Sequence, residues 1–135
     1  MPLNREKLLE LAIARYFEAC NHHDLEQVLG TFADDCLMWF PATTFRYSGI
    51  EALTLHFREF LGTFRTINFH NYSNIVDVDS QSLVSYFDVH LTPHDGESIE
   101  MKNCNIFHSN EQGLFNEIII YNTQPLSDGF NAGSE

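Results

Sequence analysis

Four polar residues are the candidates for chemistry in this sequence. Tyr16 lies on the apolar side of a predicted helix, where its hydroxyl would sit among hydrocarbon. His70, within INFHNYSNI, has the side chain best suited to act as a general base near pH 7. Asn103 and Asn105 would share the Phe107 side of a regular strand, and buried amides are costly unless they bond to something. Together they predict a pocket with hydrogen-bonding groups and one base.

Each candidate also has a structural alternative. Tyr16 could be a core tyrosine with its hydroxyl at a rim, and His70 a satisfied or surface histidine. The two amides could bond to a ligand, or to helix ends and water. Several aromatic residues could either line a cavity or simply fill the core: Trp39, Phe40, Phe57, Phe60, Phe87 and Phe107.

The composition argues against several other functions. The 135 residues make one ordinary domain, and the formal charge of −12 repels phosphate backbones and anionic membrane surfaces, so we expect no nucleic-acid or membrane partner. The histidines show no HxH or HExxH spacing, so we expect no metal site. Cys20, Cys36 and Cys104 form no CxxC pair and are predicted to be buried free thiols of a reducing compartment. With neither a signal-peptide pattern nor a membrane-spanning apolar run, the predicted localisation is cytoplasmic.

Helical patterns occupy most of the N-terminal half. Asn4 is a predicted N-cap before an apolar stripe that ends near Cys20, and Asp24 with Gln27 forms a capping box for a short helix. Ala33-Asp34-Asp35 is predicted as a turn, 36–40 as a strand and 42–47 as a loop. A second capping box, SGIE, opens a third helix whose apolar face contains Ile50, Leu53, Phe57, Phe60, Leu61 and Phe64.

The C-terminal half has the pattern of a β-meander. Strands are predicted at 67–78, 82–91, 97–108 and 114–122, joined by short polar turns. Residues 1–123 form one α+β domain, and 124–135 a loosely ordered tail. Leu83 and Phe87 mark one apolar strand face and Val84 and Tyr86 the other. A sheet apolar on both faces, with helices enough for only one, predicts a homodimer.

The segments RYFEACNHHDLEQVLGTFADD, YSGIEALTLHFREF and EIIIYN resemble the nuclear transport factor 2-like superfamily, in its SnoaL-like and ketosteroid-isomerase-like branch. The resemblance implies three helices packed in a strongly curved antiparallel sheet, a cystatin-like cone. It also implies that Tyr16 occupies the family's oxyanion tyrosine position and Asn105 the second oxyanion position. Phe40 takes the place of the proton-shuttling aspartate, so isomerisation by that route is not expected.

A second comparison concerns dehydratase and dehydrochlorinase members, which pair a histidine base with an aspartate from the first helix. His70 lies on the strand where that histidine is expected, and the aspartate position falls near Asn21. An asparagine can orient an imidazole but does not stabilise its protonated form as a carboxylate does.

Two functions follow as hypotheses. One is a cofactor-independent isomerase, cyclase or dehydratase that acts on a small, apolar carbonyl or hydroxyl compound, with Tyr16 and Asn105 holding an oxyanion and His70 moving the proton. The other is a non-catalytic module that binds a hydrophobic small molecule or a protein partner. The missing acids at Phe40 and Asn21 favour the second.

Overall fold

Three helices and six strands make up the part of the chain that the structure, a computed structural model, describes: residues 2–123. The predicted tail at 124–135 lies outside the described residues. The first helix, α1, consists of Arg5–Leu9, a π-helical segment Glu10–Phe17, and Glu18–Asn21. The other helices are α2 (Leu25–Leu29) and α3 (Ile50–Thr63). The strands are β1 (Phe32–Phe40), β2 (Phe45–Ser48), β3 (Phe64–Asp77), β4 (Ser82–Pro93), β5 (Ile99–Ser109) and β6 (Phe115–Asn122).

The strands form one curled, unclosed sheet in the order β2-β1-β6-β5-β4-β3. The last four strands pair consecutively and antiparallel, as the short polar turns predict. β1 joins the sheet parallel to β6. The helix α3 connects the β1-β2 pair to the four strands that begin with β3. The α+β class and the curved sheet are confirmed. No helix within residues 2–123 is long and apolar enough to span a bilayer.

Two of the three predicted helix starts have the expected caps. The Asn4 side chain accepts a hydrogen bond from the Lys7 amide at 2.8 Å, and the Asp24 side chain accepts one from the Gln27 amide at 3.1 Å. The SGIE capping box is wrong. α3 instead begins after Gly49, whose φ of 90° suits glycine, and no side chain caps it. The Gly49 amide donates to the Cys36 carbonyl oxygen at 2.9 Å, which ties this helix start to β1.

The prediction for 33–35 is also wrong, because Ala33-Asp34-Asp35 lies inside β1. The register against β6 shifts between Phe32 and Leu37, so this stretch contains a bulge in which the two consecutive aspartates both stay exposed. The loop predicted at 42–47 is partly strand: β2 folds back on β1, with Phe45 opposite Phe40. A strand of four residues is too short for its alternation of apolar and polar side chains to be recognised from sequence.

Asn21 closes the open edge of the sheet. β3 is an edge strand, and the Asn21 side chain binds its backbone at Phe69 as a neighbouring strand would. Oδ1 accepts from the Phe69 amide at 2.8 Å, and Nδ2 donates to the Phe69 carbonyl oxygen at 3.1 Å. The same Nδ2 also donates to Glu18 at 3.1 Å. The Asn21 amide therefore holds α1 against β3, and its partners are Phe69 and Glu18 rather than His70.

We expect Asn21→Leu to destabilise the protein by about 1–3 kcal/mol, since the Phe69 amide loses its acceptor. Urea unfolding followed by circular dichroism measures the change. His22→Ala, at an exposed neighbouring position, is the control and is expected to leave stability unchanged. Equal unfolding midpoints for Asn21→Leu and the wild type would show that the clamp adds nothing.

Candidate functional site

A cavity of about 30 Å³ lies between the concave face of the sheet and α3. That volume has room for about two water molecules. Most of its lining is apolar, and five side chains add polar groups: Tyr16, His56, Asn103, Asn105 and Asn122. The apolar lining consists of Met38, Phe40, Phe57, Phe60, Phe69, Val89, Leu91, Met101 and Ile120. No Asp, Glu, Lys or Arg side chain lines the cavity within the described part of the chain.

Tyr16 reaches the cavity from the π-helical segment of α1. The segment's C-terminal cap shows the wide π-type bond, from the Glu18 amide to the Ile13 carbonyl oxygen. Such segments are frequent at functional sites. The Tyr16 ring is 3% exposed and meets five phenylalanine rings edge-on, at centroid distances of 5.2–6.2 Å: Phe17, Phe32, Phe57, Phe107 and Phe115. Burial, and then the nearby Cys20 and Cys36, raise the pKa of Tyr16 well above 10. Its hydroxyl is therefore protonated at neutral pH and can donate a hydrogen bond.

Three asparagines form the polar wall of the cavity on β5 and β6. Asn103 and Asn105 point inward together with Phe107, as their spacing predicts. The Asn103 Oδ1 atom accepts from Asn122 Nδ2 at 2.9 Å. Asn105 is only 2% exposed, and no group within residues 2–123 hydrogen-bonds to its Oδ1 atom. An unpaired buried acceptor typically costs about 1–3 kcal/mol, and with no partner to fix it the amide can turn either its oxygen or its N–H group to a ligand.

His56 is a site residue that the sequence-based prediction missed. It lies on α3 beside Phe57, lines the cavity and is 8% exposed. Its ring stacks on Tyr47 at a centroid distance of 4.1 Å, which brings β2 over this part of the helix. Burial lowers the pKa of His56 from 6.5 to about 3, so the imidazole is neutral at physiological pH. The signal was present: position 56 falls three residues after Leu53, on the apolar stripe of the helix.

His70 lies outside the cavity, so the structure does not bring it together with Tyr16 and Asn105. It is half-buried on the convex face, opposite Asp88, and its Nδ1 atom lies 3.2 Å from the Asn68 carbonyl oxygen. The alternation of side chains along β3 explains why His70 faces away from the cavity. Since Ile67 and Phe69 face the core, the next residue must face the other way.

The predicted aromatic residues divide into three groups. Phe40, Phe57 and Phe60 line the cavity. Phe87 and Phe107 are fully buried core residues that do not line it. Trp39 lies on the convex face, because its neighbours Met38 and Phe40 point inward, and the Arg46 guanidinium sits 4.6 Å from its ring centre. The predicted ligand-binding roles of these last three residues are not supported by the geometry.

The chain matches the family model of the SnoaL-like domain over residues 13–118. The chain belongs to the SnoaL-like family. This confirms the resemblance to the nuclear transport factor 2-like superfamily. No curated protein matches the chain in sequence.

Solved structures share the fold of this SnoaL-like protein. A proposed isomerase from Bacillus subtilis superposes with a TM-score of 0.81 at 14% identity, covering 98% of each chain. A proposed polyketide cyclase from Xanthomonas campestris gives 0.79 at 17% identity, covering 98% of this chain and 100% of its own. A protein with a cystatin-like fold from Methylobium petroleophilum gives 0.72 at 14% identity, covering 96% and 84%. At these identities the similarity establishes the cystatin-like fold.

The pKa of His56 makes stability depend on pH. Because burial holds its pKa near 3 against 6.5 when exposed, the native state takes up its proton less readily than the unfolded state. This contribution is complete above pH 6.5 and is lost as the pH falls toward 3. Between about pH 7 and about pH 4.5 we expect His56→Phe to remove about 2–3 kcal/mol of the stability lost by the wild type. Urea unfolding at several pH values measures the difference.

The control for this pH series is His22→Gln, because His22 is exposed on the surface. That variant should lose stability on acidification as the wild type does. A His56→Phe variant with the wild-type slope would mean that the His56 imidazole is solvated in solution.

Proposed function

We propose that this SnoaL-like protein catalyses cofactor-independent proton transfer on a small, largely apolar carbonyl or hydroxyl compound, as an isomerase, cyclase or dehydratase. The observation that carries the proposal is the uncharged cavity, in which a neutral phenol, a neutral imidazole and an amide with an unpaired oxygen line one apolar space. The SnoaL-like family and the similarity to a proposed isomerase and a proposed polyketide cyclase support it.

Tyr16 and Asn105 are the proposed oxygen-binding groups. The Tyr16 hydroxyl remains protonated and can donate to a carbonyl oxygen of the substrate. The amide of Asn105 can donate to the same oxygen, since no protein group within residues 2–123 engages its Oδ1 atom and fixes its direction. In a largely apolar cavity such donors stabilise the negative charge that develops on that oxygen.

His56 is the proposed proton acceptor, in place of His70. A neutral imidazole has one unprotonated ring nitrogen, and at physiological pH His56 is neutral. The nitrogen forms an N–H bond as a C–H bond next to the carbonyl breaks, and the electron pair moves onto the carbonyl oxygen as an enolate. The enolate in turn stabilises the imidazolium, because opposite charges raise the pKa of a buried base. Return of the proton to another carbon gives the isomer.

Exchange of α-protons tests this chemistry without knowledge of the natural substrate. The protein is incubated with cyclopentanone in D₂O, and loss of the α-proton signal is followed by NMR. We expect catalysed exchange that His56→Gln abolishes and that Tyr16→Phe slows by about 10²–10³-fold, the effect of losing one oxyanion donor. Tyr16→Phe should change stability by only about 1 kcal/mol, since it removes one hydroxyl and keeps the ring.

His70→Gln is the matched control, because it alters a histidine on the convex face and should exchange at the wild-type rate.

The alternative function is a non-catalytic binding module. It is favoured by the absence of carboxylates in the described cavity lining and by the low pKa of His56. Cyclopentanone that binds without exchanging faster than in buffer would exclude proton transfer and support the binding module.

We also propose a homodimer formed through the convex face of the sheet. Apolar residues that are cross-strand neighbours form one row over five strands of this face: Ile75, Val84, Ile106, Ile119 and Trp39. At strand spacing the row is about 19 Å long. Its first member, Ile75, is 72% exposed, and Tyr86 and Tyr121 extend the apolar area beside the row. The helices cover the opposite face, so a second copy is the proposed cover of this one.

We expect the wild type to sediment as a dimer at micromolar concentration and Ile106→Glu to sediment as a monomer, because a carboxylate in the centre of the row would be desolvated in the interface. The control is Leu55→Glu, at a 64% exposed position on α3. It should remain dimeric. A monomeric wild type, or a dimeric Ile106→Glu, would contradict the interface.

A further inference from the structure

We propose that Asn122 is a positioning residue that aims the amide N–H group of Asn103 at the oxygen of a ligand, so that the cavity selects uncharged ligands that accept a hydrogen bond. The inference rests on the proposed function in that it takes this cavity as the ligand site. It adds a residue and a selection rule that the proton-transfer chemistry does not require.

The direction of the Asn122 amide follows from its two neighbours. Its Nδ2 atom lies 2.9 Å from Asn103 Oδ1 and 3.7 Å from the Met101 sulfur. A thioether sulfur is a weak acceptor, and an NH₂ group has two protons to donate. With the amide reversed, its oxygen would face the Met101 sulfur, and that contact would gain no hydrogen bond. The sulfur therefore favours the orientation in which Asn122 donates to both neighbours.

The direction of the Asn103 amide follows in turn. Because its Oδ1 atom accepts from Asn122, its Nδ2 atom is the end left for other partners. Asn103 lines the cavity and is 8% exposed. Asn103 thus offers N–H groups, which pair with a carbonyl oxygen. Asn105, two residues along β5, lies about 6.6 Å away along the strand and has an unpaired Oδ1 atom. Both amides line the same cavity, so the Asn103 N–H group can donate to the carbonyl oxygen that Tyr16 and Asn105 also bind.

The absence of charged side chains in the described cavity lining determines which ligands the cavity rejects. The protein carries a net charge of −12, yet the described cavity lining has no Asp, Glu, Lys or Arg. A carboxylate ligand would lose its hydration without gaining a cation, and an ammonium ligand would lose it without gaining an anion. Either transfer is far more costly than that of a neutral carbonyl group. We therefore expect the cavity to reject both ions and to accept a ketone of the same size.

The test uses four probes on one ring: cyclopentanone, cyclopentanol, cyclopentanecarboxylate and cyclopentylammonium. Affinities are measured at neutral pH by titration of the side-chain amide signals of Asn103 and Asn105 in NMR spectra. The wild type should bind cyclopentanone at least about tenfold more tightly than either ion. Cyclopentanol can both donate and accept, so its affinity for the wild type should be similar to that of the ketone.

Asn122→Asp separates positioning from packing. The new carboxylate only accepts, so the Asn103 amide must reverse, donate to it and present its own oxygen to the cavity. A ketone cannot donate to that oxygen, whereas an alcohol can. Cyclopentanone should therefore lose about tenfold in affinity while cyclopentanol changes by no more than about twofold. A merely structural role would weaken both probes equally.

The matched control is Asn116→Asp, which adds the same charge on β6 outside the cavity, where Asn116 accepts from His108 at 2.7 Å. Its ketone-to-alcohol ratio should equal that of the wild type. Should Asn122→Asp fail to fold, Asn122→Leu replaces it, and the loss of Asn103 orientation should again lower the ratio.

A ratio unchanged by both Asn122 variants would overturn the proposal, as would wild-type binding of the carboxylate or ammonium probe as tight as that of the ketone. Failure of cyclopentanone to bind also overturns it. The proposed function fails differently: cyclopentanone that binds with the expected selectivity but exchanges no α-protons removes proton transfer and leaves the recognition rule intact.

Discussion

The aromatic packing of Tyr16 and Phe17 against the concave sheet is the contact on which the rest of the molecule depends. Both side chains are buried although they are adjacent in sequence, and the π-helical segment turns both toward the sheet. Phe17 meets Phe87 at 4.5 Å and Phe107 at 5.6 Å between ring centroids, so α1 is fastened to two central strands. Aromatic pairs of this kind add about 0.5–1.5 kcal/mol each beyond area burial. The same packing places Tyr16 in the wall of the cavity.

Burial on this scale decides the electrostatics of the cavity. It raises the pKa of Tyr16 and lowers that of His56, and both changes leave a neutral group. The neighbouring amides are neutral as well. The cavity is thus polar without being charged, inside a strongly acidic protein. Charged groups such as Asp88 and Lys102 pair on the convex side of the sheet, where water screens them.

Sequence patterns predict the elements of this fold better than they predict the site. Strand alternation identifies the inward residues of β4 and β5, and with them Asn103 and Asn105, because a period of two needs only a few residues to be recognised. The bulge in β1 and the short β2 escape prediction, since both depend on pairing with distant strands. His56 was missed because a single polar residue on an apolar stripe has no meaning until the opposite wall of the cavity is known. His70 was misplaced although Phe69 already determined its face.

The volume of the cavity determines how it can be used. Room for about two waters is too little for a ring compound, so a ligand has to displace lining side chains. Moving an aromatic ring out of a packed cage loses many contacts at once. Methionine is unbranched and has three rotatable bonds, so it can change shape at low cost. Met101 is 7% exposed, lies beside the Asn103–Asn122 pair, and contacts the Asn122 amide only through a weak sulfur bond. Displacement of its side chain would enlarge the cavity next to the amides that recognise the ligand, while the cage around Tyr16 stays closed.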